Sequence, residues 1–183
     1  MDIKRIKQSK RRHLTEKFAE LGFTKGVEIG TCHGKFAQVL CENNSKLKLT
    51  TIDPYVAVYQ DKRTQRIGNE KQESLYKEAK KRLNPYKCDI VRKHSLEAVL
   101  DFPYESIDFV YIDGSHKFDY VICDIIEWAR RVKKDGIISG HDYSQKRMPE
   151  VVEAVNVYAK QHDIPTIYIT DERSPSWWFE RTW

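Results

Sequence analysis

Two apolar segments of the chain are each followed by an acidic residue and a histidine. Asp113 and His116 follow residues 107–112, and the pair His141-Asp142 follows a second apolar segment that ends at a glycine. Both segments have the composition of buried parallel strands, and the carboxyl ends of such strands meet at one edge of a sheet. Two carboxylates and two imidazoles gathered there can bind a divalent cation and provide a general base.

A glycine-containing loop follows an earlier apolar segment. Residues 27–34 are Val-Glu-Ile-Gly-Thr-Cys-His-Gly, in which Gly30 permits a sharp turn and Gly34 lets the next helix approach a ligand. The dinucleotide fingerprint G-x-G-x-x-G is incomplete, because Cys32 and Lys35 occupy its second and third glycine positions. Without those glycines the backbone cannot closely approach a pyrophosphate, so the loop favours a ligand that contains adenosine but no phosphates.

Asp53 ends the next apolar segment and lies 23 residues after Gly30. A carboxylate at this position can accept hydrogen bonds from both hydroxyls of a ribose. The alternative is a structural role, in which Asp53 forms an Asx-turn or caps a helix ahead of Pro54. Together with the glycine loop, the spacing favours the ribose-binding role.

These segments belong to an alternation of predicted strands and helices, which is typical of a parallel sheet with crossover helices. The pattern predicts an α/β fold in a single domain over residues 1–183, with a mostly parallel seven-stranded sheet and helices on both faces. The predicted strands span 26–30, 47–52, 90–91, 107–112, 137–140, 164–170 and 176–180, and the predicted helices span 9–21, 35–41, 71–83, 118–132 and 150–162.

One connection is longer than a crossover helix needs. Asp53 and Cys88 lie at the ends of consecutive strands, and the first part of the segment between them is polar. We interpret residues 55–70 as a mobile loop over the ligand-binding edge of the sheet, with an extra helical turn as the alternative.

The N-terminal segment, residues 1–22, is predicted to be helical and is strongly basic. Two interpretations stay open, a solvated helix face or a patch that binds a polyanion. The whole chain carries a net charge of +5, which is too small a surplus for a dedicated nucleic-acid-binding protein. Six cations lie within nine residues, and they are Lys4, Arg5, Lys7, Lys10, Arg11 and Arg12.

Composition excludes several other classes. At 183 residues the chain suits one domain, and it has no apolar segment close to the roughly 20 residues of a membrane span. The N-terminus lacks the apolar core of a secretory signal. Four cysteines without a C-x-x-C pair argue against a disulfide scaffold or a structural metal site. We therefore expect a reduced, cytoplasmic protein that does not enter membranes.

The sequence resembles the class I S-adenosylmethionine-dependent methyltransferases, and more narrowly the compact branch related to macrocin and other metal-dependent sugar O-methyltransferases. The resemblance covers about residues 24–145. It rests on Val-Glu-Ile-Gly-Thr-x-x-Gly at 27–34, Ile-Asp at 52–53, Asp-Phe-Val-Tyr-Ile-Asp-Gly-Ser-His at 108–116 and Asp-Gly-Ile-Ile-Ser-Gly-His-Asp-Tyr at 135–143.

The resemblance implies a Rossmann-like methyltransferase fold, S-adenosylmethionine as the cofactor and Mg²⁺ as a further cofactor. It places Asp113 and Asp142 as metal ligands and His116 as the catalytic base, with Asp113 also taking part in cofactor binding and catalysis. The family commonly has an acidic residue just before the serine after the third strand, where this chain has His94. The implied cofactor contacts are Glu28, Gly30, Thr31 and Gly34 for the methionine part, Asp53 for the ribose, and His94 and Ser95 for the adenine.

The expected reaction is O-methylation of a small hydroxylated, sugar-like acceptor, with a divalent metal lowering the pKa of the hydroxyl. We expect neither nucleic acid nor a membrane as a partner. The acceptor pocket must come from the 55–70 segment, the N-terminal helix or a neighbouring subunit of a homo-oligomer. Two alternatives remain: an NAD(P)-dependent Rossmann oxidoreductase, and a non-catalytic methyltransferase-like module that binds through its basic N-terminus.

Overall fold

Eight strands in the described part of the chain form one sheet. The structure is a computed structural model that describes the backbone of residues 1–56 and 62–183 and the side chains of residues 1–56 and 68–183. The strands are β1 (Asp2–Ile6), β2 (Lys25–Ile29), β3 (Lys48–Ile52), β4 (Cys88–Val91), β5 (Ile107–Ile112), β6 (Val132–Gly140), β7 (Thr166–Thr170) and β8 (Trp177–Glu180). Their order across the sheet is β1-β7-β8-β6-β5-β2-β3-β4.

The predicted α/β class and mostly parallel sheet are confirmed. Every pair of neighbouring strands is parallel except those that involve β8, which runs antiparallel to both β6 and β7. All six residues of β5 are buried, as expected for a central parallel strand that is covered on both faces.

Helices cover both faces of the sheet. Alternate residues of β5 belong to different cores, with Val110 and Ile112 in one and Phe109 and Tyr111 in the other, because successive side chains point to opposite faces. Helices α4, α5 and α6 pack on the first face, and α1, α2 and α3 pack on the second. Their bounds are α1 (Arg11–Glu20), α2 (Lys35–Asn43), α3 (Lys62–Leu83), α4 (Ser95–Ala98), α5 (Phe118–Ala129) and α6 (Pro149–Gln161).

The ends of five strands lie in one row. Ile29 of β2 is level with Ile52 of β3 on one side and with Ile112 of β5 on the other. The row continues to Val91 of β4 and to Gly140 of β6. The chain order reverses between β2 and β5, and this is the point at which open parallel sheets bind ligands.

Two features differ from the sequence-based predictions. Residues 2–6 form an edge strand that pairs in parallel with β7, so the N-terminal segment is not helical throughout and the sheet has eight strands rather than seven. Residues 62–70 of the predicted 55–70 loop belong to α3, which is the extra-helix alternative, and residues 57–61 lie outside the described residues. Within α3 the backbone leaves the helical conformation at Gly68, where φ is 68°.

No helix of the described residues is both long enough and apolar enough to cross a membrane.

The contact between α1 and β5 provides a test of the second core. The rings of Phe18 and Phe109 stack with their centroids 4.1 Å apart, and Phe18 is 1% exposed. We expect Phe18→Ala to lower the free energy of unfolding by about 3–5 kcal/mol, because it removes buried surface and leaves a cavity. Urea denaturation measures this change. Leu21→Ala in the same segment is the control, since Leu21 is 49% exposed and its loss should cost no more than about 0.5 kcal/mol.

Candidate functional site

A cavity of about 530 Å³ lies at the carboxyl ends of β2, β3, β5 and β6 and extends to the segment after β4. We call it the edge cavity. Most of the predicted site residues line it, whereas Glu28, Thr31 and Gly34 do not. The predicted residues that line the cavity are Gly30, Asp53, His94, Ser95, Asp113, His116 and Asp142.

Gly30 sits where the end of β2 meets the end of β5 with no room for a side chain. Its φ is +93°, and a Cβ at this position would lie only 2.1 Å from the carbonyl oxygen of Asp113. The backbone N–H of Asp113 donates to Ile29 at 2.8 Å, which continues the β2–β5 pairing one residue beyond the strand. A side chain at residue 30 would therefore push apart the two strand ends that form the floor of the edge cavity.

Gly34 serves packing between helices rather than the cavity. It caps the start of α2 with φ at +70°, and a Cβ there would lie 3.1 Å from Leu83 and 3.3 Å from Ala79 of α3. Its role in this fold is therefore the close approach of α2 and α3.

Asp53 forms the Asx-turn that its sequence position allows and also lines the edge cavity. Its Oδ1 accepts the N–H of Tyr55 at 2.9 Å, which is an Asx-turn, and its Oδ2 accepts the N–H of Cys32 at 2.9 Å. The carboxyl also lines the edge cavity. Burial raises the pKa of Asp53 against the opposing effect of these hydrogen bonds. The turn fixes the direction of the carboxyl, and the second oxygen ties the Cys32 loop to β3.

Glu28 and Thr31 form a buried polar layer beneath the cavity. The hydroxyl of Thr51 donates to Glu28 Oε2 at 2.5 Å, and the hydroxyls of Thr31 and Thr51 are 2.7 Å apart. Glu28 is 1% exposed, and burial raises its pKa to about 8 despite the hydrogen bond from Thr51. Glu28 is therefore mostly uncharged at neutral pH and links β2 to β3 from below.

The two aspartates and two histidines after β5 and β6 do come together. His116 Nε2 lies 2.7 Å from Asp142 Oδ2, and His141 Nδ1 lies 3.5 Å from the same oxygen and 3.7 Å from Asp113 Oδ1. Burial opposes the charge on Asp142, but hydrogen bonds from both histidines outweigh it and hold the pKa of this carboxyl well below its usual range. We call these four residues the Asp-His cluster.

Arg11 of α1 is a site residue that sequence reasoning counted only as part of the basic run. Its Nη2 lies 2.7 Å from Asp113 Oδ2, and its guanidinium lies 3.7 Å from the Phe36 ring centroid and 4.8 Å from that of Tyr111. Packing against these two adjacent rings fixes the guanidinium, so the ion pair is held in one geometry. Spacing along the sequence gives no signal for this contact, because it joins α1 to the end of β5.

The rest of the basic run lies on β1, on the turn that follows it and on α1. Arg5 lies 3.6 Å from Asp171, and Arg12 lies 3.2 Å from Glu16 one helical turn away. Lys4 lies over the ring of Tyr168. These contacts favour the solvated-surface interpretation over a dedicated polyanion patch.

The donor atoms of the Asp-His cluster are close enough together for a metal ion. One ligand atom from each of Asp113, His141 and Asp142 lies within 4.8 Å of the others. Two carboxylates and one imidazole suit Mn²⁺ or Fe²⁺ at least as well as Mg²⁺, which prefers oxygen alone. His141 is therefore a candidate ligand beside the two predicted aspartates, whose role as metal ligands stays a prediction.

Asp124 of α5 lines the edge cavity and was not predicted as a site residue. It lies on the buried face of the helix with Val121, Ile125 and Trp128. Burial raises its pKa to about 7, against a hydrogen bond with Ser95 that lowers it. The signal that could have identified it is an acidic residue on the apolar stripe of an amphipathic helix. Burying such a residue costs free energy, so its presence there points to a functional role.

Comparison with protein families agrees with this architecture. Residues 27–143, which run from β2 to the segment after β6, match the model of a methyltransferase-domain family. This match covers more than half of the chain. The chain therefore belongs to the class I S-adenosylmethionine-dependent methyltransferases, as its motifs suggested.

Individual relatives are distant. The chain is 29% identical over 131 residues to an uncharacterized protein of Acanthamoeba polyphaga mimivirus, an alignment that covers 71% of this chain and 57% of that protein. The chain thus spans little more than half the length of this relative.

Solved structures share the fold at low sequence identity. A Staphylococcus aureus protein provisionally named a caffeoyl-CoA O-methyltransferase is 14% identical with a TM-score of 0.66, covering 96% of this chain and 85% of that one. An O-methyltransferase family protein from Burkholderia thailandensis is 11% identical with a TM-score of 0.62, covering 93% and 55%. Spermidine synthase from Thermotoga maritima is 14% identical with a TM-score of 0.61, covering 91% and 56%. At these identities the likeness establishes the fold alone.

The raised pKa of Glu28 has a consequence for stability. Between its ordinary value near 4.5 and about 8, the folded protein holds a proton that the unfolded chain has released, so stability falls as pH rises through this window. We therefore expect the free energy of unfolding of Glu28→Gln, relative to wild type, to rise by a few kcal/mol between about pH 5 and about pH 9. Each kcal/mol corresponds to roughly 2–4 °C in Tm. Thermal unfolding across this range measures the difference.

The matched control is Glu153→Gln, because Glu153 is exposed on α6. Its Tm difference from wild type should not change with pH. A Glu28→Gln variant whose Tm difference is equally flat would show that Glu28 is ionised in the folded protein at neutral pH.

Proposed function

We propose that this chain transfers a methyl group from S-adenosylmethionine to a hydroxyl of a small, sugar-like acceptor, with a divalent metal at the Asp-His cluster. The observation that carries the proposal is the edge cavity. It brings the carboxyl of Asp53, suited to a ribose, into one space with Asp113, His116 and Asp142, in a chain of the methyltransferase family.

Each part of the proposed cofactor would lie against residues that follow a different strand. Asp53 after β3 would hold the ribose hydroxyls, and His94 and Ser95 after β4 would lie against the adenine. Gly30 after β2 leaves the cavity floor free of a side chain beneath the methionine part. The bound cofactor supplies a methyl group on a positively charged sulfur.

His116 is the proposed general base, and its hydrogen bond determines which nitrogen acts. With Nε2 2.7 Å from Asp142 Oδ2, the imidazole donates its Nε2–H to the carboxylate and leaves Nδ1 to accept a proton. Asp142 thereby orients the ring and stabilises the imidazolium that forms when the acceptor hydroxyl loses its proton.

The carboxylate oxygens nearest to His141 Nδ1 are Asp113 Oδ1 and Asp142 Oδ2. Asp113 Oδ2 is paired with Arg11, and Asp142 Oδ2 is paired with His116. A divalent cation held by these aspartates and His141 would lower the pKa of the acceptor hydroxyl. Arg11 keeps the Asp113 carboxyl in a fixed position whether or not a cation is bound.

The alternative of a nicotinamide-dependent oxidoreductase is disfavoured by the family match and by the incomplete glycine fingerprint. A non-catalytic module stays as an outcome of the experiments below. The shared fold does not separate transfer reactions from one another, since spermidine synthase has it too.

Binding of the cofactor is tested by calorimetry with S-adenosylhomocysteine, and with NAD in parallel. We expect S-adenosylhomocysteine alone to bind, and Asp53→Ala to weaken it by at least about tenfold, because a charged hydrogen-bond acceptor for two hydroxyls is lost. Asp89→Ala, an exposed aspartate on the neighbouring β4, is the control and should bind like wild type. Binding of NAD instead, or of neither ligand, would contradict the proposal.

Metal binding is tested with Mn²⁺, which can be followed by electron paramagnetic resonance. We expect one site per chain, weakened at least about tenfold by Asp142→Asn because a carboxylate ligand becomes a neutral amide. Asp89→Asn should leave the site intact. Wild-type protein that binds no Mn²⁺ even with S-adenosylhomocysteine present would remove the metal from the proposal and leave His116 as the means of activating the hydroxyl.

A further inference from the structure

Asp124 is a buried acid at the edge cavity that the proposed reaction does not use. Asp124 is 6% exposed and shares the buried face of α5 with Val121, Ile125 and Trp128. A carboxyl on the apolar face of a helix is costly, and the cost is offset only when hydrogen-bond donors surround it.

The protein itself provides Asp124 with one identified donor. The indole N–H of Trp128 donates to Ser95 Oγ at 2.7 Å, so the hydroxyl hydrogen of Ser95 is free to point to the Asp124 carboxyl. Among the residues that the structure describes, no ion pair joins Asp124 to a basic side chain. A carboxyl group offers about four acceptor positions, so capacity remains on the cavity side.

The contact with Ser95 places the Asp124 carboxyl on the β4 side of the edge cavity. Ser95 follows β4, whereas Asp113 follows β5, and β2 and β3 lie between these strands. The ends of β4 and β5 are thus three strand spacings, about 14 Å, apart. Asp53 lies between the two ends. Asp124 therefore borders the part of the cavity beyond the ribose, where the nucleobase of the proposed cofactor would lie.

We propose that Asp124 is a specificity-determining residue for the nucleobase, whose carboxyl accepts the exocyclic N6–H of adenine and thereby selects an aminopurine over a 6-oxopurine. This inference rests on the proposed function, because it takes the cofactor to be an adenosyl compound. Ser95 and Trp128 position the carboxyl through the hydrogen bonds described above.

The selection follows from the different edges of the two bases. Adenine presents a donor at N6, which pairs with a carboxylate. Hypoxanthine presents a carbonyl oxygen at the same place, so two acceptors would face each other without a proton. A buried polar group that is left unpaired in this way discriminates more strongly than a difference in shape.

The test compares S-adenosylhomocysteine with its deaminated analogue, S-inosylhomocysteine, by calorimetry at about pH 8.5. At this pH a group with a pKa of about 7 is ionised and acts only as an acceptor. We expect wild type to prefer the adenosyl compound by at least about tenfold. Asp124→Asn should lose most of this preference, because an amide can turn either its C=O or its NH₂ toward the base.

The ratio of the two Kd values is read within one variant, so it does not depend on how much of that variant is folded. Asp119→Asn is the matched control, since Asp119 is exposed on the same helix, and it should keep the wild-type ratio. A wild-type protein that binds neither compound overturns the proposed function. Binding of S-adenosylhomocysteine with an unchanged ratio in Asp124→Asn, or with no preference in wild type, overturns the role of Asp124 alone.

Discussion

The close approach of β2 and β5 at Gly30 is the constraint on which the site depends. The backbone of residue 30 lies so near the carbonyl of Asp113 that a single added carbon would be 2.1 Å from it. This contact brings Asp113 beside the glycine loop, and the in-register strand ends on either side place Asp53 and His141 at the same level. Because the order of the chain reverses between these two strands, the crossover helices diverge there and leave space for a ligand.

The acidic side chains of the site have partners before any ligand binds. Arg11 is paired with Asp113, and His116 and His141 lie against Asp142. Glu28 is kept mostly neutral by burial. A buried carboxylate without a partner would be costly, and these contacts offset that cost. They also fix the side chains in position, which is the main requirement for aligning an acceptor oxygen with a methyl group.

The fold limits the chemistry less than the site does. Solved structures that share it at 11–14% identity include an O-methyltransferase family protein and a spermidine synthase. What separates such reactions is the set of side chains at the strand ends. In this chain they are Asp53 after β3, the Asp-His cluster after β5 and β6, and a buried acid, Asp124, on α5.

The sequence by itself determined the α/β class, the glycine turn at residue 30 and the three strands that precede Asp53, Asp113 and Asp142. Apolar runs and turn residues are local signals, and parallel strands bring their carboxyl ends together wherever they lie in the chain. Only the tertiary structure decided that Asp2–Ile6 is an edge strand, because this basic segment lacks a strand pattern and is fixed by pairing with β7. The same holds for Arg11 and Asp124, whose roles arise from contacts with residues distant in sequence that only the packing of α1 and α5 creates.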